Sequence, residues 1–212
     1  MKVMAVGAQK GGVGKTTTAI YVAAHAVRHL RQPGGRVGLI DRDESGNLTQ
    51  LLRLRPDLLL PGLELLPGPH VPLPTEAYDF VVIDTPPGVS AISSLAEANL
   101  VVVPVLPEPQ GVANLIDYLA NIDNQGRTVS PNMRLLALLP TMVETRVDIH
   151  REHLELIRQI AAAERPPLAV LPHVRRLSQI RKYDLAAPDY ATAAKELFSH
   201  AYAHEDTVSA IA

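Results

Sequence analysis

Residues 9–17, Gln9-Lys10-Gly11-Gly12-Val13-Gly14-Lys15-Thr16-Thr17, constrain this chain more than any other stretch. They stand between a short apolar run, Val3 to Val6, that reads as a buried strand, and a helical pattern that starts near Lys15. A glycine-rich turn between strand and helix lets backbone N–H groups converge on an anion, and the helix N-terminus adds partial positive charge there. Gly11, Gly12 and Gly14 lack a Cβ, so the backbone can wrap closely around phosphate oxygens. In such a turn Lys15 reaches the β- and γ-phosphates and the Thr16 hydroxyl sits on Mg²⁺, with Thr17 beside it toward the α-phosphate.

The ordinary P-loop pattern G-x-x-x-x-G-K-[ST] is not met, because its first glycine falls on Gln9. The chain carries K-G-G-x-G-K-T-T instead, with an additional lysine at position 10. This "deviant" P-loop resembles the ParA/MinD family of ATPases. The resemblance implies that Val13 belongs to the nucleotide loop. It also implies that Lys10 crosses a dimer interface to the partner's bound nucleotide, so that ATP becomes part of that interface.

The strand, the glycine turn, the helix over 15–31 and a second strand over Val37 to Ile40 make a βαβ unit, which implies a parallel sheet with a right-handed crossover. The helix carries Ile20, Ala23, Ala24, Val27 and Leu30 on one face, and Gln32-Pro33-Gly34-Gly35 ends it. A short helix follows at Asn47 to Leu54. Prolines 56, 61, 67, 69, 72 and 74 then mark a surface excursion, with a brief strand at Leu63 to Leu66. Further strands are expected at Phe80 to Ile83, Leu100 to Leu106, Leu135 to Leu139 and Leu168 to Leu171. Helices are expected over 91–98, 111–124, 149–163, 174–182 and 190–204. The alternation predicts an α/β fold of the P-loop NTPase type, a mostly parallel sheet with helices on both faces. The 212 residues suit a single domain, 1–212, with the segment from Glu205 loosely held.

Ligands of an open parallel sheet bind at the carboxyl ends of its strands. Besides the glycine turn, two strand ends carry suitable groups there: Asp41-Arg42-Asp43-Glu44-Ser45-Gly46-Asn47-Leu48-Thr49, and Asp84-Thr85-Pro86-Pro87-Gly88. The run from Tyr78 to Pro87 resembles the family's Walker-B segment, which implies that Asp84 orients Mg²⁺. The 41–49 segment is similar to the family's D-x-D-P-Q-G-N-x-T motif, with Glu44 and Ser45 in place of Pro and Gln. That likeness implies that Asp43 positions the attacking water and that Asp41 supports the Mg²⁺ shell. Near the base, Val105 to Pro109 and Leu171-Pro172-His173 resemble family turns, with Pro172 the nucleotide contact.

Composition removes several functions. There is no cysteine, which excludes disulfides, thiolate metal sites and cysteine-ligated iron–sulfur clusters. It removes the nitrogenase-iron-protein branch of the superfamily for the same reason. A net charge of −2 supplies no global field for nucleic acid, so a DNA contact needs a local patch. Arg175, Arg176, Arg181 and Lys182 offer one on the expected helix 174–182, with Arg175 and Lys182 on one face; a solvated helix surface is the alternative. Arg127, Arg146 and Arg151 are further candidates for that side. The scattered histidines read as surface residues. No apolar run approaches the roughly 20 residues of a membrane span, and no secretory signal is present.

The resemblance covers residues 2–110 with specific motifs and 111–204 by order and lengths. It implies a small ParA without an N-terminal helix-turn-helix extension, since the chain begins at the P-loop strand. The implied activity is Mg²⁺-dependent hydrolysis of ATP by a cytoplasmic protein, nucleoid-associated when ATP-bound. The implied partners are a second copy of the chain, non-specific DNA and a ParB-like protein that stimulates hydrolysis. The rivals are a MinD-like membrane-cycling ATPase, a ParA-like ATPase for another cargo, and a biosynthetic P-loop enzyme. The acidic, short tail His204 to Ala212 disfavours the first, because membrane attachment needs a basic amphipathic helix. Lys10 argues against the last.

Overall fold

The computed structural model describes residues 1–30, 35–68, 70–73, 77–88 and 90–203. Its strands are β1 (Lys2–Val6), β2 (Val37–Asp41), β3 (Leu63–Leu66), β4 (Phe80–Asp84), β5 (Leu100–Val105), β6 (Arg134–Pro140) and β7 (Ala169–Val170). They form one sheet in the order β3-β2-β4-β1-β5-β6-β7, and every neighbouring pair runs parallel. The helices are α1 (Lys15–His29), α2 (Asn47–Leu54), α3 (Ser90–Leu95), α4 (Pro109–Asn121), α5 (Arg127–Val129), α6 (Asp148–Ala163), α7 (Ser178–Arg181) and α8 (Pro188–Tyr202). This is an α/β fold of the P-loop NTPase type.

The unbroken apolar strands follow from burial on both faces. Met4, Val6, Leu39, Val82 and Val102 pack on one side with α1, α2 and α8. Val3, Ala5, Ile40, Val81, Ile83 and Val101 pack on the other with α3, α4 and α6. Parallel register brings the chemistry level: Val6 pairs with Asp84, and Asp84 pairs with Asp41. Three adjacent strands therefore end together at the same edge.

Four expectations are corrected. The single buried face of α1 is exceeded: Thr18 through Ala24 are all buried. The cause is α8, which covers the outer side and stacks Tyr190 on Tyr21 with ring centroids 4.1 Å apart. The helix expected over 174–182 is only the four-residue α7. Val174, Arg175 and Arg176 instead lie alongside Val143, through a Val143–Arg175 bridge and an Arg176 N–H bonded to the Val143 carbonyl at 3.1 Å. Arg175 and Lys182 therefore share no helix face. His150 is buried rather than superficial, its Nδ1 accepting the Glu144 N–H at 2.9 Å. His25 is half-buried, and burial, then the charge of Arg28, pull its pKa down to about 4. The expectations for residues 31–34, Pro69, Pro74 and the tail from His204 fall outside the described residues.

Candidate functional site

The glycine turn has the geometry of a phosphate cradle. Gly12 and Gly14 take φ of 82° and 91°, a left-handed conformation that side chains resist. A Cβ on Gly11 or Gly12 would project into open space, with no atom beyond the chain neighbours within 4 Å. Gly14 begins α1 with no side-chain cap and no acidic residue in the first turn, which leaves the helix N-terminus free for an anion. Val13 is buried, and its carbonyl accepts the Thr141 hydroxyl at 2.8 Å. Thr141 follows directly on β6, so it ties the turn to the sheet; nothing in its neighbourhood in the sequence marks that role.

Lys15 is only 7% exposed, and its Nζ donates to the Lys10 carbonyl at 3.2 Å. Burial pulls its pKa below the ordinary lysine value, against the opposing charges of Asp84 and then Asp43. Lys10 itself is exposed. A cavity of 530 Å³ opens over the turn, lined by Gly11, Gly12, Lys15, Thr16, Thr17 and Asp43 among others. The structure thus brings Lys15, Thr16, Thr17 and Asp43 to one space.

Asp84 is 2% exposed, and its Oδ1 has no partner among the described residues. Burial is the main cause that pushes its pKa up to about 7, and the nearby Thr16 hydroxyl and Lys15 charge oppose the rise. Asp41, 3% exposed, is fully engaged: Oδ2 accepts the N–H and hydroxyl of Thr49 at 2.9 and 3.0 Å, and Oδ1 accepts the Asp43 N–H at 3.1 Å. Asp43 accepts the Ser45 N–H at 2.9 Å, and Ser45 Oγ accepts from Asn47 at 2.8 Å. The residues that depart from the family motif therefore build a closed turn of their own.

A second cavity, of 340 Å³, adjoins the turn at Gly14 and Thr17. Met142, Val174, Leu177, Ile180, Tyr183 and Tyr190 give it an apolar wall, and Arg175, Arg176 and Arg181 lie on its rim. Met142 (φ 53°) and Tyr183 (φ 55°), the non-glycine residues with positive φ among those described, both face it. Strained backbone of this kind concentrates at ligand sites. Pro172 is half-buried and is not one of the lining residues; Val105 to Pro109 do not line it either. Arg175 is held by Asp189 through two side-chain bonds of 2.9 and 2.8 Å, and Arg176 by Glu144 at 3.1 Å. Arg181 and Lys182 are exposed.

Residues 4–186 match the family model of the CobQ/CobB/MinD/ParA nucleotide-binding domain. The chain belongs to the ParA/MinD family. This ParA-family protein is 30% identical to the chromosome-partitioning ATPase Soj of Thermus thermophilus, over 94% of this chain and 91% of that one. Its fold is similar to Cyanothece apo McdA, with a TM-score of 0.74 at 19% identity over 93% of this chain and 99% of the other. It is also similar to cobyrinic acid a,c-diamide synthase from Mycobacterium smegmatis with bound ADP and magnesium, with a TM-score of 0.70 at 26% identity over 94% and 95% of the two chains. No described helix is long and apolar enough to cross a membrane.

Proposed function

We propose that this protein is a partition ATPase: it binds ATP, pairs with a second copy around the nucleotide, holds DNA non-specifically, and lets go when a ParB-like partner stimulates hydrolysis. The observation that carries the reading is the split between its two lysines. Lys15 is buried at the cradle, whereas Lys10 is displayed on the surface beside it. A surface cation that does not line the cavity over its own turn suits a partner's nucleotide, where positive charge accelerates phosphoryl transfer. The likeness to Soj supports the assignment to partition. Val13 and the glycines cradle the phosphates, and the cavity between Met142 and Tyr183 takes the base. Pro172, which does not line that cavity, acts in this reading through the 174–177 segment.

Mg²⁺ fits the residues present. Among those described, no three acidic, histidine or cysteine side chains group to hold a metal alone. That suits Mg²⁺, which takes one or two carboxylates and fills its shell with phosphate and water. Asp84 offers a buried, unpartnered oxygen, and Thr16 lines the cavity over the turn with its hydroxyl available. When bound, the ion neutralises charge building on the phosphates. Asp41 supports that shell by holding the loop, and Asp43 accepts a hydrogen bond from the attacking water and aligns it.

For DNA, we assign the backbone contact to Arg175, Arg176, Arg181 and Lys182. The first two are neutralised in the free protein by Asp189 and Glu144, so phosphate must displace those acids. A second reading, ATP turned over on a small substrate, is favoured by the likeness to the diamide synthase. Molecular mass in solution with ADP and with ATP plus Mg²⁺, repeated with Asp43→Ala and with duplex DNA, tests the proposal. ATP-specific dimers that Lys10→Ala abolishes are expected. A monomer in saturating ATP, even with Asp43 removed, overturns it.

A further inference from the structure

We propose that Arg42 is a positioning residue for the Asp43 loop, which it fixes through a clasp to Glu97 and Val71; this rests on the hydrolytic reading above. Arg42 stands between Asp41 and Asp43 and is 8% exposed. Its Nε and Nη2 donate to the two Glu97 oxygens at 2.9 and 2.8 Å, and its Nη1 donates to the Val71 carbonyl at 2.8 Å. Its backbone N–H donates to the Asp84 carbonyl at 2.9 Å. One residue thereby joins the ends of β2 and β4, the turn after α3, and the proline-rich segment at 70–73.

Most ion pairs among the described residues are exposed, such as Arg36 with Glu64 and Arg55 with Asp57, and pairs of that kind hold little in place. Arg42 shares the paired geometry of these contacts and differs from them in setting. The guanidinium meets the carboxylate fork to fork, which fixes direction as well as distance. Its side chain is 6% exposed against 31% for Glu97, so breaking the pair would leave a largely buried guanidinium without its carboxylate.

The Asp43 loop needs such a fixture. Glu44 and Ser45 are exposed and neither presets the backbone as a proline would. Asp43 lies between two cavities: the one over the glycine turn, and a larger one of 620 Å³ whose walls include Arg42, Glu97, Val71 and Pro87. Open space on both sides leaves the carboxylate to be held from its own backbone. Aligning a water for in-line attack tolerates displacements well under an ångström. Asp41 secures the loop at Thr49, and Arg42 secures it at Glu97. The second anchor follows the Asp84 segment in sequence, so the clasp also couples the two carboxylate loops.

Arg42→Gln, Arg42→Lys, Glu97→Gln and the double variant Arg42→Gln with Glu97→Gln test this in the full chain, by kcat, KM, thermal unfolding and amide hydrogen exchange. Arg42→Gln should lower kcat by about tenfold or more with KM within about twofold, the split of a group that acts only on the reacting geometry. Arg42→Lys keeps the charge but loses the fork, and should fall between wild type and Arg42→Gln. The double variant should be no slower than Arg42→Gln alone, because both partners serve one clasp. Exchange at Ser45, Gly46 and Thr49 should quicken while β1 and β5 stay protected. Unchanged kcat with unchanged loop exchange, whatever happens to the melting temperature, overturns the proposal. If the wild type fails to hydrolyse ATP, the functional reading falls, and the exchange arm still decides the clasp. If Arg42→Gln does not fold, Arg42→Lys and Glu97→Gln carry the same comparison.

Discussion

Asp84→Asn should make the nucleotide-free protein more stable while it destroys turnover. Asp84 is a nearly inaccessible carboxylate whose pKa burial raises from the ordinary 3.8 to about 7. A group with a raised folded pKa holds its proton more tightly folded than unfolded. The stability this lends is complete below the unfolded pKa and drains away as pH climbs through about 4 to about 7. Each pKa unit is worth about 1.4 kcal/mol, so the ionised carboxylate costs the apo fold about 4 kcal/mol at pH 8 and about half that at pH 5. Asparagine has the same shape and does not titrate.

Urea unfolding of wild type and Asp84→Asn without nucleotide, at pH 5 and pH 8, measures the effect. The gap in favour of the variant should widen by about 2–3 kcal/mol between the two pH values. Contributions from groups remote from Asp84 are common to both proteins and cancel in the difference. Adding Mg²⁺ with ATP should raise wild-type stability at pH 8 and leave the variant nearly unmoved, since binding to the folded state alone is stabilising. Parallel stability–pH curves for the two proteins would refute the argument, because they would mean that Asp84 ionises without desolvation.

Other outcomes follow from single contacts. Lys15→Ala should abolish nucleotide binding, measured by titration with a fluorescent ATP analogue; retained affinity would remove the cradle from the mechanism. Gly7→Ala should destabilise the fold by about 1–3 kcal/mol, because its Cβ would fall 2.0 Å from the Tyr118 hydroxyl. Adding Tyr118→Phe should recover part of that loss, and unfolding curves of the pair decide it. Arg175→Ala with Arg176→Ala should weaken duplex binding and flatten its salt dependence, by about one unit of log–log slope for each lost phosphate contact. An unchanged slope would move the DNA surface elsewhere.

The glycine turn and the two carboxylate loops were readable because each depends on local chemistry. Left-handed turns favour glycine, a dense apolar run marks a strand covered on both faces, and polar residues at its end mark the sheet's carboxyl edge. The helix expected over 174–182 failed because spacing of charges is not spacing of contacts. Arg175 is fixed by Asp189, fourteen positions on, and by its bridge to Val143. The cavity beside the turn was invisible for a related reason. Met142 and Tyr183 take left-handed backbones that residues of their kind rarely adopt, so no composition rule points to them. Thr141 and Arg42 act through partners 128 and 55 positions away, a range that no local pattern reports.

These long-range contacts share a location, and that location has a physical consequence. The buried Lys15, the unpartnered Asp84 oxygen and the strained Met142 and Tyr183 all stand where the parallel strands end. Each is unfavourable in the free protein, by desolvation in the first two and by backbone strain in the others. The cores on both faces of the sheet, with the stacked Tyr21 and Tyr190 behind α1, hold these groups in place regardless. A phosphate on Lys15 and a cation on Asp84 would relieve both desolvation costs together. Nucleotide affinity is then coupled to the stability of the carboxyl edge itself. The dimer face proposed around Lys10 borders that edge, so under that proposal a nucleotide that stiffens one would stiffen the other.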